Sequence, residues 1–378
     1  MAVKNFFITA GDVSGDIHAA NLMAALKAQD PSVRFTAVGG PRMQSLADTF
    51  LCDLASQGIT GFVEPIKKIP QLAQLLKKIR THFETNRPTA VIAVDYYGFN
   101  YRVLLLAKRY NIPCFYYVTP QVWASRQYRA KRLAALTQKM YVIYPFEPDF
   151  HQQFGGNAVF LGNPLLDKIP APVEKTYPAQ DDKNYPWKLG LLPGSRPGEI
   201  NRLLPVFYQT FKQVLQHYPN THAYLFALPQ ADDKQLLSLL GETPHPQFHL
   251  VKETDYKQRA RMDYLLACSG TATLENALLG VPMLVAYKMF YPTYLVARCV
   301  VKVKDISLVN ILAKKRLVPE LIQQDASAYK CAQETLAMFS HPQKLTALRN
   351  DLLQLRASLG EPGVADRAAL DILKELSK

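Results

Sequence analysis

The feature that most constrains this chain is a repeated alternation of short, wholly apolar runs with amphipathic stretches of helical period. The run TAVIAV over 89–94 offers no polar face beyond its first threonine. A strand can do that only when both of its faces are covered, as in the interior of a parallel sheet. Strands are expected at 5–9, 35–38, 89–94, 114–118 and 140–143, with helices at 17–29, 70–86, 100–110 and 126–136. The pattern breaks over 163–182, where four prolines and several charges without periodicity read as an interdomain linker. It restarts with strands at 188–192, 221–227, 247–251, 263–268 and 283–286, and helices at 199–217, 231–240 and 271–279. From 328 to 378 the chain reads as helical apart from a Gly360-Glu361-Pro362-Gly363 break. The expectation is an α/β protein with doubly wound domains over 1–165 and 166–340. Helices over 341–378 would pack back toward the first domain or toward the partner in a possible homodimer.

Composition narrows the partners. With 44 Lys+Arg against 31 Asp+Glu, the formal charge of +13 favours anionic ligands: nucleic acid, an acidic membrane surface or phosphorylated substrates. No nucleic-acid module is recognisable, so a non-catalytic nucleic-acid-binding protein is the remote alternative. Five scattered cysteines without a CxxC pair fit a reducing compartment, and no uncharged run is long enough to span a membrane. The stretch 59–83 interleaves Lys67, Lys68, Lys77, Lys78 and Arg80 with apolar residues. It suits either an anionic membrane surface or an ordinary packing helix with solvated lysines.

Ligands of doubly wound sheets bind off the carboxyl ends of the strands, and four polar motifs fall there. AGDVSGD (residues 10–16) puts Gly11 and Gly15 where backbone can approach a ligand; its alternative is a tight turn with Asp16 as helix cap. It lacks GxGxxG spacing, and no GxxxxGK[ST] occurs. Asp95 directly follows a buried strand, where partial burial would raise its pKa toward that of a useful base; it could instead cap a helix or bind loop amides. LLPGSRPGEI (191–200) sets Gly194, Ser195 and the forked cation Arg196 in a turn suited to a diphosphate, with Glu199 as ordinary capping chemistry. In ACSGTATLENALLGVP (267–282), Ser269, Gly270 and Thr271 open a helix whose dipole favours phosphate, and Glu275 could accept from ribose hydroxyls. Asn310, polar amid apolar neighbours, needs a partner. No D-x-D motif lies near a strand end and His245/His249 lacks supporting ligands, so neither a catalytic metal nor a cofactor is expected.

Taken in order, AGDVSGD, GGPRM (39–43), VDYYGFN, YVTPQVWASRQYR (117–129), PFE (145–147), LLPGSRPGEI, SGTATLE and SLVN resemble the lipid-A-disaccharide synthase family over roughly residues 8–321. The resemblance implies a GT-B fold, two Rossmann-like domains facing a cleft, and an inverting, metal-independent transfer. It implies a UDP-2,3-diacylglucosamine donor, a 2,3-diacylglucosamine 1-phosphate acceptor, and a cytoplasmic enzyme held peripherally at the inner membrane. By position, Asp95 would be the general base. Gly194, Ser195, Arg196, Ser269, Gly270, Thr271, Glu275 and Asn310 would hold UDP. Asp12, Ser14, Gly15 and Asp16 would line the opposite wall, with Trp123, Arg126 and Gln127 near the sugars. Asp12, Ser125 and Asn163 stand where Glu, Trp and His are usual, and Tyr96 and Tyr97 where smaller residues are. Neighbouring alternatives are a peptidoglycan-type transferase or a UDP-N-acetylglucosamine 2-epimerase.

Overall fold

The computed structural model describes residues 3–57, 69–290, 294 and 305–377. Two parallel sheets organise it. The first contains β1 (Asn5–Ala10), β2 (Arg34–Gly39), β3 (Thr49–Asp53), β4 (Ala90–Val94), β5 (Cys114–Tyr117), β6 (Lys139–Val142) and β7 (Ala158–Phe160), in the order 3-2-1-4-5-6-7. The second contains β8 (Lys188–Leu192), β9 (His222–Ala227), β10 (Phe248–Lys252), β11 (Tyr264–Cys268), β12 (Met283–Tyr287) and β13 (Glu320–Ile322), in the order 10-9-8-11-12-13. Every residue of β4 is buried, as its composition requires, and its register against β1 pairs Ile8 with Ile92. The edge strands β3, β7 and β13 escape the sequence pattern because they are short and only half-buried, and so lack a diagnostic apolar run.

The order of each sheet reverses once, between β1 and β4 and between β8 and β11. Chains leaving adjacent strands there turn to opposite faces, which opens a crevice at the carboxyl ends. The four polar motifs are the segments that follow β1, β4, β8 and β11. This topology is what gathers them two by two.

The chain divides into two compact units, 1–167 with 359–378, and 168–358. The tail expected as one helical block from 341 is therefore shared between them. Helix Pro342–Ser358 buries Leu345, Leu352 and Leu355 in the second unit, and Arg349 Nη1 donates to the Gly280 carbonyl at 2.6 Å. The Gly360–Gly363 break then lets helix Val364–Glu375 pack Ala365, Ala368 and Ile372 against the helix Val13–Gln29 of the first unit. Asp371 receives the Tyr141 hydroxyl at 2.9 Å, and Lys139 pairs with Asp371 and Glu375 at 2.7 and 3.1 Å. Gly360 has φ +87°, and a Cβ there would lie 3.0 Å from the Gly162 Cα. Gly360→Ala should therefore cost roughly 1–3 kcal/mol, read as a lowered denaturation midpoint at unchanged m-value.

Helix Ile69–Thr85 buries Leu75, Ile79 and Phe83 in the core and exposes Lys77, Lys78 and Arg80. Its apolar side is thus used in packing, in keeping with the packing-helix alternative; Lys67 and Lys68 lie outside the described residues. No described helix is long and apolar enough to cross a membrane.

Candidate active site

In the first unit the site is built around Asp95. Asp95 and Tyr96 take φ values of +49° and +36°, so two consecutive non-glycine residues sit in left-handed backbone. Such a kink costs free energy and survives only where its surroundings over-determine it. Here they do. The Asp95 carbonyl accepts from Asn100 Nδ2 at 2.9 Å and from the Tyr116 hydroxyl at 2.5 Å, while its amide donates to the Val118 carbonyl at 3.1 Å. Asn100, fully buried, also donates to the Val94 carbonyl at 2.9 Å and accepts from the Thr9 hydroxyl at 3.0 Å. It staples β1, β4 and the kink together, a role hidden in the sequence because asparagine in a helix carries no such signal.

The Asp95 side chain accepts one bond, from the Tyr96 amide at 2.8 Å. Burial first, and the nearby Asp12 carboxylate second, push its pKa from the ordinary 3.8 up to about 6. That leaves it ionised near neutrality yet basic enough to take a proton. Its helix begins at Tyr97, three residues earlier than expected.

The AGDVSGD loop lies beside it. A Cβ on Gly11 would meet the Tyr96 ring at 2.1 Å, so that glycine makes room for the kink. Asp12 caps helix Val13–Gln29, accepting from the Gly15 amide at 2.7 Å. Ser14 is exposed and Gly15 buried. Asp16, read as either wall residue or cap of its own helix, does neither. It is buried and accepts from the amides of Gly40, Arg42 and Met43, tying the loop to the GGPRM turn. Trp123 is also packed inward. Its indole donates to the fully buried Glu147 at 3.1 Å and meets Tyr144 and Phe146 edge-on. Glu147 accepts as well from the amides of Ile143 and Tyr144, both at 2.9 Å, and burial raises its pKa to about 7. Gln127 donates to the Trp123 carbonyl at 3.1 Å, whereas Arg126 is exposed in left-handed backbone, φ +55°.

In the second unit, the segments after β8 and β11 line a pocket of about 360 Å³ containing Gly194, Ser195, Arg196, Ser269, Gly270, Thr271 and Glu275. Gly194 has φ +120°, and a Cβ would collide with Glu199 at 2.6 Å. Arg196 is largely exposed, with Nη1 2.9 Å from Glu199 Oε1, while Glu199 Oε2 takes the Ser195 and Arg196 amides at 3.2 and 3.3 Å. The capping reading of Glu199 thus describes the turn. An incoming diphosphate would compete with that carboxylate or use the remaining guanidinium donors. Helix Thr271–Leu278 opens at Gly270 without a side-chain cap, so its first amides keep their capacity for an anion. The Ser269 hydroxyl is engaged with the Ile306 carbonyl at 3.1 Å.

Glu275 faces the pocket held by two groups: Tyr256 donates to Oε1 at 3.0 Å and Arg259 Nη1 to Oε2 at 2.9 Å. Arg259, buried and bonded also to Glu253, forms part of the pocket wall. Sequence reasoning missed it because it lies in a one-turn helix, Arg259–Arg261, without a motif. Asn310 needs correction. Its amide donates to the Val318 carbonyl and Glu320 and accepts from the amides of Leu317 and Val318. With all four capacities used inside its own loop, it braces β13 and is absent from the pocket lining.

Two parallel sheets of this order, with phosphate-type turns at one switch point and a carboxylate at the other, place the chain in the GT-B fold class. Solved structures share the fold across the whole chain. A putative UDP-N-acetylglucosamine 2-epimerase from Listeria monocytogenes matches with TM-score 0.64 at 13% identity, covering 100% of this chain and 97% of that one. Acinetobacter baumannii MurG matches with TM-score 0.61 at 15% identity, covering 98% and 99%. The model of the lipid-A-disaccharide synthetase family matches residues 6–371. The lipid-A-disaccharide synthase of Syntrophus aciditrophicus is 35% identical, covering 100% of this chain and 99% of that protein; that of Myxococcus xanthus is 34% identical, covering 98% and 97%. The chain belongs to the lipid-A-disaccharide synthase family.

Proposed function

We propose that this enzyme transfers 2,3-diacylglucosamine from UDP to the 6-hydroxyl of 2,3-diacylglucosamine 1-phosphate, with inversion, giving a β-1,6-linked disaccharide 1-phosphate and UDP. The observation that carries the reading is the Asp95 carboxyl, held after β4 by a strained, fully braced backbone and poised at about 6. Asp95 takes the proton of the acceptor hydroxyl as its oxygen bonds to the anomeric carbon. The bond from that carbon to the phosphate oxygen breaks, and the electron pair leaves on the β-phosphate of UDP. Arg196 and the free amides at Gly270–Ala272 stabilise the departing charge. Ser195 supports the turn and Glu275 receives the ribose. The basic surface, Lys77, Lys78 and Arg80 included, suits association with an anionic membrane.

Incubation with both acylated sugars, followed by mass spectrometry, should yield UDP and disaccharide together. UDP-sugar turnover without an acceptor would instead indicate a 2-epimerase. Arg196→Ala should weaken UDP binding about tenfold or more through lost charge-assisted contacts, measured by calorimetry. Unchanged affinity would remove Arg196 from that role.

A further inference from the structure

Beside Asp95 stands a group of cations that the transfer chemistry leaves unused. Tyr97, two residues after the base, stacks on Tyr101 with ring centroids 5.4 Å apart and planes 10° apart. The Arg129 guanidinium lies 4.2 Å over the Tyr97 ring. That of Arg132 lies 5.9 Å from the Tyr101 ring and 5.1 Å from the ring of Tyr128. Arg126 belongs to the same patch. The exposed Tyr128 phenol is shifted down, first by a hydrogen bond from Arg129 and further by the charges of Arg126 and Arg132. Three guanidinium groups therefore act on one small surface, and among the described residues none has a carboxylate within ion-pair distance.

Uncompensated cations repel one another, so their convergence costs stability unless an anion joins them. The aromatic rings explain how the arginines are held, not what they are for: each guanidinium has five N–H donors, and contact with a ring face spends few of them. A second observation points to an acceptor-rich ligand. The Tyr97 hydroxyl is shielded from solvent; burial is the largest influence on it, ahead of a hydrogen bond from Arg132. Its charged neighbours Arg129 and Arg132 are donors only, so its proton lacks an acceptor. Guanidinium forks together with an unspent O–H match the oxygens of a phosphate monoester.

We propose that Arg126, Arg129, Arg132 and Tyr97 form a phosphomonoester subsite that seats the 1-phosphate of the acceptor sugar while Asp95 addresses its hydroxyl. This rests on the transferase reading for the identity of the ligand, but not for the existence of the anion site.

The test is calorimetric titration of the full chain with glucosamine 1-phosphate, glucosamine and UDP, for the wild type, Arg129→Gln/Arg132→Gln and Arg129→Lys/Arg132→Lys. The sugar phosphate should bind the wild type, bind the glutamine variant about tenfold or more weakly, and bind the lysine variant with intermediate affinity. Glucosamine should not bind measurably, and UDP affinity should be the same in all three. Thermal unfolding of each variant checks that the first unit remains folded. Equal sugar-phosphate affinity in wild type and glutamine variant, or no binding to wild type, overturns the proposal. So does a glutamine variant that loses binding to phosphatidylglycerol vesicles while keeping the sugar phosphate, because the patch would then serve a lipid headgroup. Should sugar-phosphate binding follow the expected order while no disaccharide forms, the subsite stands and the transfer reading fails.

Discussion

Asp95→Asn should lower turnover by about 10²-fold or more while leaving UDP binding intact, and should at the same time make the protein more stable at neutral pH. The two effects share one cause. Burial and the Asp12 charge disfavour the ionised carboxyl, raising its pKa from 3.8 to about 6. Between those values the folded state holds the proton more tightly than the unfolded chain does. Stability therefore falls as pH rises through the window, by about 3 kcal/mol in all. Asparagine removes that penalty, keeps the shape and tolerates left-handed backbone. Its stabilising effect should be largest above pH 6 and vanish below about pH 4, as chemical denaturation at several pH values would reveal. Wild-type turnover should fall as pH drops below about 6, where the base is protonated. A variant of near-normal turnover, or one no more stable than wild type at pH 7, would rule out this account of Asp95.

Arg259→Met should be the most damaging change in the second unit. The guanidinium is buried and neutralises Glu253 and Glu275 together, so its removal strands two carboxylates in a low-dielectric wall. Breaking a buried pair in this way costs about 3–5 kcal/mol, a fall in melting temperature of roughly 10 °C for a unit of this size. UDP affinity should fall as well, because Glu275 is oriented from Arg259 and Tyr256. Glu275→Gln separates the effects: it should lose UDP affinity with a much smaller loss of stability, since amide and phenol still pair. If Arg259→Met melted like wild type, the buried network would not be what shapes this pocket.

The class of fold, and the places where chemistry could sit, were legible along the chain. Wholly apolar runs such as that of β4 are stable only inside a covered parallel sheet, and the polar segments after β1, β4, β8 and β11 lie where such sheets bind ligands. Local chemistry was enough, because period and turn residues act over a few positions. The tertiary structure alone decided which polar residues face a ligand and which face the protein. Asp16, Trp123 and Asn310 read like site residues and prove to be braces, since a buried donor or acceptor must be satisfied by whatever the fold brings near. Arg259 and Asn100 read like nothing and prove to hold the site, because their partners lie on other elements. The same holds for the pKa of Asp95 and for the tail split between two units: burial and long-range packing sum contributions from residues far apart in the chain, and no local pattern records them.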